Sequence, residues 1–252
     1  MRALTRGVGP SSALPPGVEA VVGDLNQPAS LSAALAGVNG VFLLPGYQDM
    51  RGVLAEIRRA AVGHVVLLSG SSAASGDMSN AISAYMIRSE AAVTESGVPW
   101  TVLRPFGFMS NALRWLPQLQ AGDVVREPFA KVPVAVIDPY DIAAVAAGAL
   151  CSEGHEGRSY VLSGPESLLP ADRVRVLGAA LGRDLRFEAQ PDDEARAQMS
   201  ADMPAEYVAA FFDFYGDGTL DESPILPTVQ EILGRKPRTF EQWSTAHAEA
   251  FR

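Results

Sequence analysis

The first two-thirds of the chain alternates short apolar runs with segments of helical periodicity, and this alternation limits the fold more than any other feature. Strands are predicted at Ala3–Thr5, Val18–Val22, Val41–Leu44, Val65–Leu68 and Trp100–Leu103. Helices are predicted between them at Ser30–Ala36, Asp49–Ala61 and Ser79–Ser96. Because repeated strand–helix–strand units build parallel sheets, the sequence predicts an α/β fold with a mainly parallel sheet and helices on both faces.

The pattern becomes less regular after Pro105. The predicted elements there are an amphipathic segment Phe108–Gln120, a strand Val134–Val136, a helix Pro139–Ala149 capped by Asp138, a strand Ser159–Leu162, a helix Pro170–Leu181, a helical stretch Ala189–Phe214 and a last helix Thr239–Phe251 with a capping box. We expect a sheet domain over residues 1–104 and a smaller α/β lobe over residues 105–252. About residues 134–164 are expected to return to the first domain, with the ligand cleft between the two.

Composition disfavours several classes of partner. A net charge of −9 and a pI near 4.9 argue against nucleic acid and anionic membranes, since both reward clustered Lys and Arg. The single cysteine excludes an intrachain disulfide, and the three histidines lie too far apart to suggest a metal site. Asp138 and Asp141 interrupt the longest apolar stretch, and no signal peptide is visible, so we expect a cytoplasmic protein without a membrane span.

The opening segment Met1–Arg6 has the pattern of the second strand of a dinucleotide-binding fold, and no glycine-rich turn comes before it. In such a fold the first strand and helix carry the backbone N–H groups that hold the cofactor pyrophosphate. We therefore expect a sheet whose first strand and helix are missing, with weakened cofactor binding. Three outcomes are open: the sheet closes up, another chain fills the position, or the native protein begins upstream of Met1.

Several segments carry a family resemblance. They are Arg2–Arg6, Val22–Leu25, Val41–Pro45, Val65–Ser69, Ser89–Pro105, Phe108–Asn111, Ile137–Asp138, Tyr160–Glu166 and Gly234–Phe240. Together they resemble the NmrA-like atypical short-chain dehydrogenase/reductases, a group with NADPH-dependent quinone and dye reductases and redox-sensing regulators. The resemblance implies a Rossmann-like sheet, a small C-terminal α/β lobe and NADP(H) as cofactor.

The resemblance also implies a set of cofactor-binding residues. Arg6 follows the second strand of the family fold, where an arginine can bind the adenosine 2′-phosphate of NADP, although an exposed loop arginine explains it equally well. Asp24 and Leu25 are expected near the adenine, and Asp24 can also simply cap the next turn. The remaining expected cofactor contacts are Leu44, Pro45, Gly46, Ser69, Pro105 and Phe106.

Catalysis by the Tyr-x-x-x-Lys dyad of ordinary short-chain dehydrogenases is excluded, because Ser89 stands four residues after Tyr85. The candidate catalytic residues are Ser69 and Ser71, which follow a strand, and Tyr85 on the next helix. A plain loop for the serines and a solvated helix edge for Tyr85 are the alternatives.

Phe108, Met109 and Asn111 are the candidate substrate-binding residues, since aromatic and thioether side chains suit a flat apolar ligand. A packed seam between domains explains them equally well. We expect an NADP(H)-linked oxidoreductase that transfers hydride to a quinone-like or conjugated carbonyl substrate. The alternatives are a non-catalytic ligand or redox sensor acting through a protein partner, and a cofactor-independent enzyme that reuses the cleft. A homodimer is left open.

Overall fold

The computed structural model describes residues 1–7 and 14–252. The strands are β1 Arg2–Thr5, β2 Glu19–Val22, β3 Gly40–Leu43, β4 His64–Leu68, β5 Trp100–Pro105, β6 Val124–Glu127, β7 Arg158–Leu162 and β8 Arg186–Ala189. The α-helices are α1 Ser32–Leu35, α2 Met50–Arg59, α3 Ala81–Thr94, α4 Leu116–Ala121, α5 Pro139–Cys151, α6 Pro170–Leu181, α7 Asp192–Asp202, α8 Ala205–Phe211, α9 Thr228–Leu233 and α10 Phe240–Ala246. Shorter helical turns lie at Pro28–Leu31, Ser71–Ser75, Met109–Trp115, Phe212–Gly216 and Ala248–Phe251.

The strands form a two-stranded sheet β1-β2, a four-stranded sheet in the order β3-β4-β5-β7, and a two-stranded sheet β6-β8. Strand β1 pairs with β2, β3 with β4, and β6 with β8, in each case in parallel. The predicted α/β class with a parallel sheet is therefore confirmed.

The chain divides into two compact units. Unit 1 consists of Met1–Ser69, Tyr85–Val102 and Ala149–Ser159. Unit 2 consists of Gly70–Ala84, Leu103–Gly148 and Tyr160–Arg252.

The core of unit 1 is built on β4 and α2. Val65 and Leu67 of β4 are fully buried, as β-branched and aliphatic side chains are in a central parallel strand. Helix α2 begins after Asp49, whose carboxylate accepts a hydrogen bond from the Gly52 backbone N–H at 2.8 Å. Its buried residues Val53 and Ile57 lie four positions apart, so they share the helix face that packs into the core.

Unit 1 also has an unfilled sheet edge. In a dinucleotide-binding sheet the first strand lies between the second and the fourth. Here β1 and β2 take the second and third positions and β3 takes the fourth, and no described residue pairs β1 with β3. The apolar side chains of Leu4 on β1 and Phe42 on β3 are 37% and 44% exposed. Among the described residues no strand lies between β1 and β3, so the two strands belong to separate sheets.

Unit 2 is held together by an aromatic core. The rings of Phe240 and Trp243 on α10 stack with centroids 5.5 Å apart, and both side chains are almost fully buried beside Leu177 of α6. The predicted capping box is confirmed, because the Gln242 N–H donates to the Thr239 hydroxyl and the Gln242 side chain accepts from the Thr239 N–H. This cap sets the start of α10.

Two predicted elements of unit 2 are wrong. Val134–Val136 is no strand, because only isolated bridges form there, Val134 with Leu168 and Ile137 with Phe108. The helical stretch Ala189–Phe214 is instead divided, since β8 ends at Ala189 and α7 and α8 are separated at Pro204. A proline lacks the N–H that a continuous helix needs.

The other predicted elements shift at their ends or change helical type. The segment Phe108–Gln120 consists of the turn Met109–Trp115 followed by α4, and the last helix continues as the turn Ala248–Phe251. Strands β6 and β8 were not predicted. In the described part of the chain, no helix is long and apolar enough to cross a bilayer.

Candidate functional site

The candidate cofactor residues of unit 1 follow the carboxyl ends of its strands. Arg6 comes directly after β1, Asp24 after β2, Leu44 after β3 and Ser69 after β4. Open parallel sheets bind nucleotides at this edge. Arg6 is exposed, and among residues 1–7 and 14–252 no carboxylate pairs with it. A free guanidinium at this place fits a phosphate.

Asp24 has a local role in the turn after β2. Its carboxylate accepts a hydrogen bond from the Asn26 N–H at 2.9 Å, and its own N–H donates to the Ser30 hydroxyl. Burial, together with the nearby Asp24 charge, raises the pKa of the Tyr47 phenol. Asp24 therefore caps its turn and keeps a half-buried carboxylate, with Leu25 half-buried beside it.

Tyr85 packs against the loop that follows β3. Gly46 has a φ of +87°, and a Cβ at this position would lie 2.0 Å from the Tyr85 ring. The Tyr85 hydroxyl donates to the Pro45 carbonyl at 3.4 Å, and the Gly46 N–H donates to the Ser89 hydroxyl at 3.1 Å. Only glycine allows this close approach. Tyr85 thus supports the loop, and its predicted catalytic role stays a prediction.

The two candidate serines have different carboxylate partners. In unit 1 the Ser69 hydroxyl donates to Glu90 at 2.5 Å, and both side chains are buried. In unit 2 the Ser71 hydroxyl donates to Glu222 at 2.5 Å, and these are also buried. Each hydroxyl is oriented by a carboxylate, a feature that the sequence did not show.

The described residues fit NADP(H) in part. The strand-end residues of unit 1 are predicted to contact an adenosine phosphate and the far end of a dinucleotide. A pyrophosphate needs backbone N–H groups at the start of a helix after the first strand. No described element occupies that strand position between β1 and β3.

Unit 2 contains a cavity of about 370 Å³. Its wall combines aromatic and apolar side chains with a few polar ones, the mixture usual for small-molecule sites. Aromatic and thioether side chains in the wall are Trp115, Phe129, Phe211, Tyr215, Met199 and Met203. Of the predicted substrate residues, Asn111 lines this cavity, Phe108 is half-buried, and Met109 belongs to the hydrophobic core. Pro105 and Phe106 are buried.

The buried acid Glu222 contacts a residue of the cavity wall. Tyr215 lines the cavity, and its hydroxyl donates to Glu222 at 2.9 Å. Burial raises the pKa of Glu222, against hydrogen bonds from Ser71, Tyr215 and the Gly107 backbone that favour the carboxylate. Burial and the neighbouring Glu222 charge also raise the pKa of Tyr215. The pair can hold and pass a proton at the cavity wall.

Sequence reasoning missed both Tyr215 and Glu222. Glu222 lies in an irregular segment between Asp221 and Ser223, and only α8 and the turn Phe212–Gly216 bring Tyr215 to it. A single Glu outside any periodic element carries no sequence signal of burial.

Comparisons with known proteins agree with the fold and with NAD(P)H as the cofactor. Residues 1–152 match a family model described as NAD(P)H-binding. Over 239 residues the chain is 42% identical to a (4-alkanoyl-5-oxo-2,5-dihydrofuran-3-yl)methyl phosphate reductase of Streptomyces griseus, covering 93% of this chain and 85% of the relative. It is 36% identical over 242 residues to an NAD(P)H azoreductase of Xenophilus azovorans, covering 93% and 84%.

Among solved structures, an NADPH-dependent quinone oxidoreductase of Escherichia coli superposes with a TM-score of 0.79 at 21% identity. The match covers 97% of this chain and 89% of that one. At this identity the likeness concerns the fold alone.

Proposed function

Because this chain belongs to the NAD(P)H-binding family, we propose that it reduces a conjugated carbonyl compound bound in the unit 2 cavity. The predicted resemblance is confirmed by the family match, and the chain is an NAD(P)H-dependent oxidoreductase. Of the functions that the sequence left open, a reductase is therefore favoured over a non-catalytic sensor. The substrate and the residue roles below are our proposal.

The observation that carries the proposal is the contact of Tyr215 with buried Glu222 at the cavity wall. When bound, NADPH supplies a hydride. Hydride addition to a conjugated carbonyl leaves negative charge on its oxygen, so a proton must follow. We propose that the Tyr215 hydroxyl delivers this proton and that Glu222 replaces it. The raised pKa of Glu222 favours the protonated acid that this transfer needs.

The relatives support the substrate class. One is named for a 5-oxo-2,5-dihydrofuran with an alkanoyl substituent, and the other for azo compounds. These are flat acceptors of hydride, and the aromatic wall of the cavity suits a flat conjugated ring. A quinone is also a flat conjugated ring.

On the cofactor side, we propose that Arg6 binds the 2′-phosphate and that Asp24 and Leu25 lie near the adenine. Leu44, Pro45, Gly46 and Ser69 of unit 1 would hold the part of NADP(H) that follows. For Pro105 and Phe106, which belong to unit 2, the cofactor contact stays a prediction. The exposed guanidinium of Arg6 and the strand-end placement of the others support this assignment.

Steady-state oxidation of NADPH with a naphthoquinone and with an alkanoyl dihydrofuranone tests the proposal, together with the variant Tyr215→Phe. We expect kcat to fall about 100-fold, because general acid catalysis contributes roughly 10²–10⁴-fold. Tyr207→Phe is the matched control, since Tyr207 lies on α8 but not in the cavity wall. Full activity of Tyr215→Phe would refute the assigned proton donor. Absence of NADPH oxidation with both acceptors would refute the substrate class.

A further inference from the structure

The wall of the unit 2 cavity carries arginines that the reductase chemistry does not use. Three arginines line it, Arg114, Arg126 and Arg173, together with the two carboxylates Glu127 and Asp202. Glu194 pairs with Arg126 and Glu127 with Arg173, whereas Arg114 has no carboxylate partner in the described chain. A cation without a carboxylate partner favours anionic ligands.

Arg173 has hydrogen-bonding capacity left over. Its side chain is 11% exposed, and its Nη2 lies 3.4 Å from Glu127. Its Nε is buried and has no hydrogen-bond partner among the described residues. A guanidinium presents five N–H donors, and a buried donor without an acceptor is costly. An acceptor supplied by a ligand would remove this cost.

Arg114 lies in the same cavity wall and has fewer charged contacts than Arg173. Its Nε donates to the Asn111 carbonyl at 3.3 Å, and in the described chain no carboxylate pairs with it. The pKa of Arg173 is lowered, first by burial and also by the positive charge of Arg114, which means that the two cations act on each other. Two neighbouring cations with only one carboxylate partner between them favour a ligand with more than one negative charge.

The neighbouring surface suits an organic ligand. Arg173 sits 5.9 Å from the centroid of the Trp115 ring, and Tyr215 lines the same cavity. Helix α6 begins at Pro170 in the wall, and the first turn of a helix favours anions. The arginines therefore adjoin the aromatic surface that a conjugated ring would contact.

We propose that the unit 2 cavity is a binding site for a phosphate monoester, whose phosphate is held by Arg114 and Arg173 while its unsaturated ring lies on the aromatic wall. The proposal rests on the proposed function for the reducible ring. A phosphate dianion carries two negative charges, against one on a carboxylate or a sulfonate, and its oxygens match guanidinium forks.

Calorimetric titration of the 252-residue chain without NADPH tests the site directly, with phenyl phosphate, benzenesulfonate and phenol as probes. We expect phenyl phosphate to bind most tightly, at least about tenfold above benzenesulfonate, because it carries the extra charge. Phenol is expected to bind weakly. Equal affinities for the three probes, or a preference for benzenesulfonate, would overturn the proposal.

Arg114→Gln and Arg173→Gln are each expected to weaken phenyl phosphate binding by about tenfold or more and to leave phenol binding unchanged. Arg126→Gln is the matched control, since Arg126 lines the same cavity but is held by Glu194 at 2.7 Å. Arg114 is exposed, so its variant is expected to fold normally, and thermal melting checks both variants. An unchanged affinity in Arg114→Gln would overturn the assignment of the phosphate site.

The assay separates this site from the reductase function because it needs neither cofactor nor reaction. If phenyl phosphate binds as described while no conjugated acceptor is reduced, the phosphate site stands and the proposed reaction fails. If neutral acceptors are reduced while phenyl phosphate does not bind, the phosphate site fails and the reaction stands.

Discussion

Unit 1 and unit 2 bury their polar groups in different ways. Unit 1 is a regular βα assembly whose strands pair in register, and candidate cofactor residues such as Arg6 and Asp24 lie in its exposed or half-buried strand ends. Unit 2 has short strands and irregular turns, yet it buries Glu222 and most of Arg173 around a cavity. Regular sheet edges offer a general nucleotide surface, whereas irregular segments can place charges for one particular ligand.

The two units also differ in how far their apolar side chains are covered. Unit 1 leaves apolar side chains exposed on β1 and β3, where a further strand fits into the sheet order. Unit 2 covers its aromatic core around Trp243 and Phe240. The contrast shows that a regular sheet can keep its local structure while one strand position stays unfilled.

The largest expected effect compares the centre of the unit 1 sheet with its open edge. Leu67→Ala should lower the free energy of unfolding by roughly 2–5 kcal/mol, because Leu67 is fully buried. Phe42→Ala should cost less than about 1 kcal/mol, since the ring is 44% exposed. Urea denaturation measures both. Equal losses would mean that the β3 edge is covered in solution.

The next effect concerns the cofactor. The 252-residue chain should bind NADPH with a dissociation constant above roughly 100 μM, because no described residue supplies the pyrophosphate cradle. A strand, glycine-rich turn and helix fused ahead of Met1 should improve binding by at least about 100-fold, or about 2.7 kcal/mol.

Calorimetry on both proteins decides this prediction. The control is the same fusion with its turn glycines replaced by valine, which restores the strand but blocks close approach of the phosphates. Low-micromolar binding by the unextended chain would show that the phosphates are held elsewhere.

A smaller effect is the pH dependence contributed by unit 2. Because burial raises the pKa of Glu222, the folded state binds more protons than the unfolded state between the ordinary value of 4.5 and the raised one. Stability from this group is therefore present at low pH and lost as the pH rises through that window. Glu222→Gln should flatten the dependence and stabilise the protein at neutral pH. Chemical denaturation at several pH values tests this, and an unchanged slope would contradict it.

The smallest expected effect has the opposite sign and belongs to unit 1. Burial lowers the pKa of His64, which lies 2.9 Å from the Thr101 hydroxyl. The unfolded state then binds more protons below the ordinary value of 6.5, so stability from His64 is lost as the pH falls. His64→Gln should remove this loss while keeping a partner for Thr101. A steeper acid dependence in the variant would refute it.

Much of unit 1 could be predicted from the sequence. Runs such as Val65–Leu68 are apolar throughout, as buried parallel strands are, and Asp49 and Gly37 mark helix ends by well-known local rules. In unit 2 the same rules found α6 and the cap of α10, whose signals are local. They failed at β6 and β8, because each of these short strands carries an Arg and a Glu that interrupt the apolar pattern.

The candidate site residues divide in the same way, into those that local sequence signals indicate and those that they do not. Asn111 was predicted to bind substrate from its place after Pro105, and it lies in the wall of the unit 2 cavity. Arg6 and Asp24 follow strands as the sequence indicates, and their cofactor roles stay predictions. Met109 could not be distinguished from a ligand contact, since a buried methionine and a cavity methionine have the same sequence pattern. Arg114 and Arg173 are separated by 59 positions, so nothing local joins them.

The sequence by itself determined the parallel α/β class and the strand ends, because hydrophobic periodicity and capping depend on neighbouring residues, and its resemblance to known proteins indicated the family. Only the tertiary structure decided that Glu222 is buried against Ser71 and Tyr215, and that Arg114 and Arg173 share one cavity wall. Burial and pKa shifts arise from groups that are distant in sequence, and their energies depend on exclusion of water that only the folded chain provides.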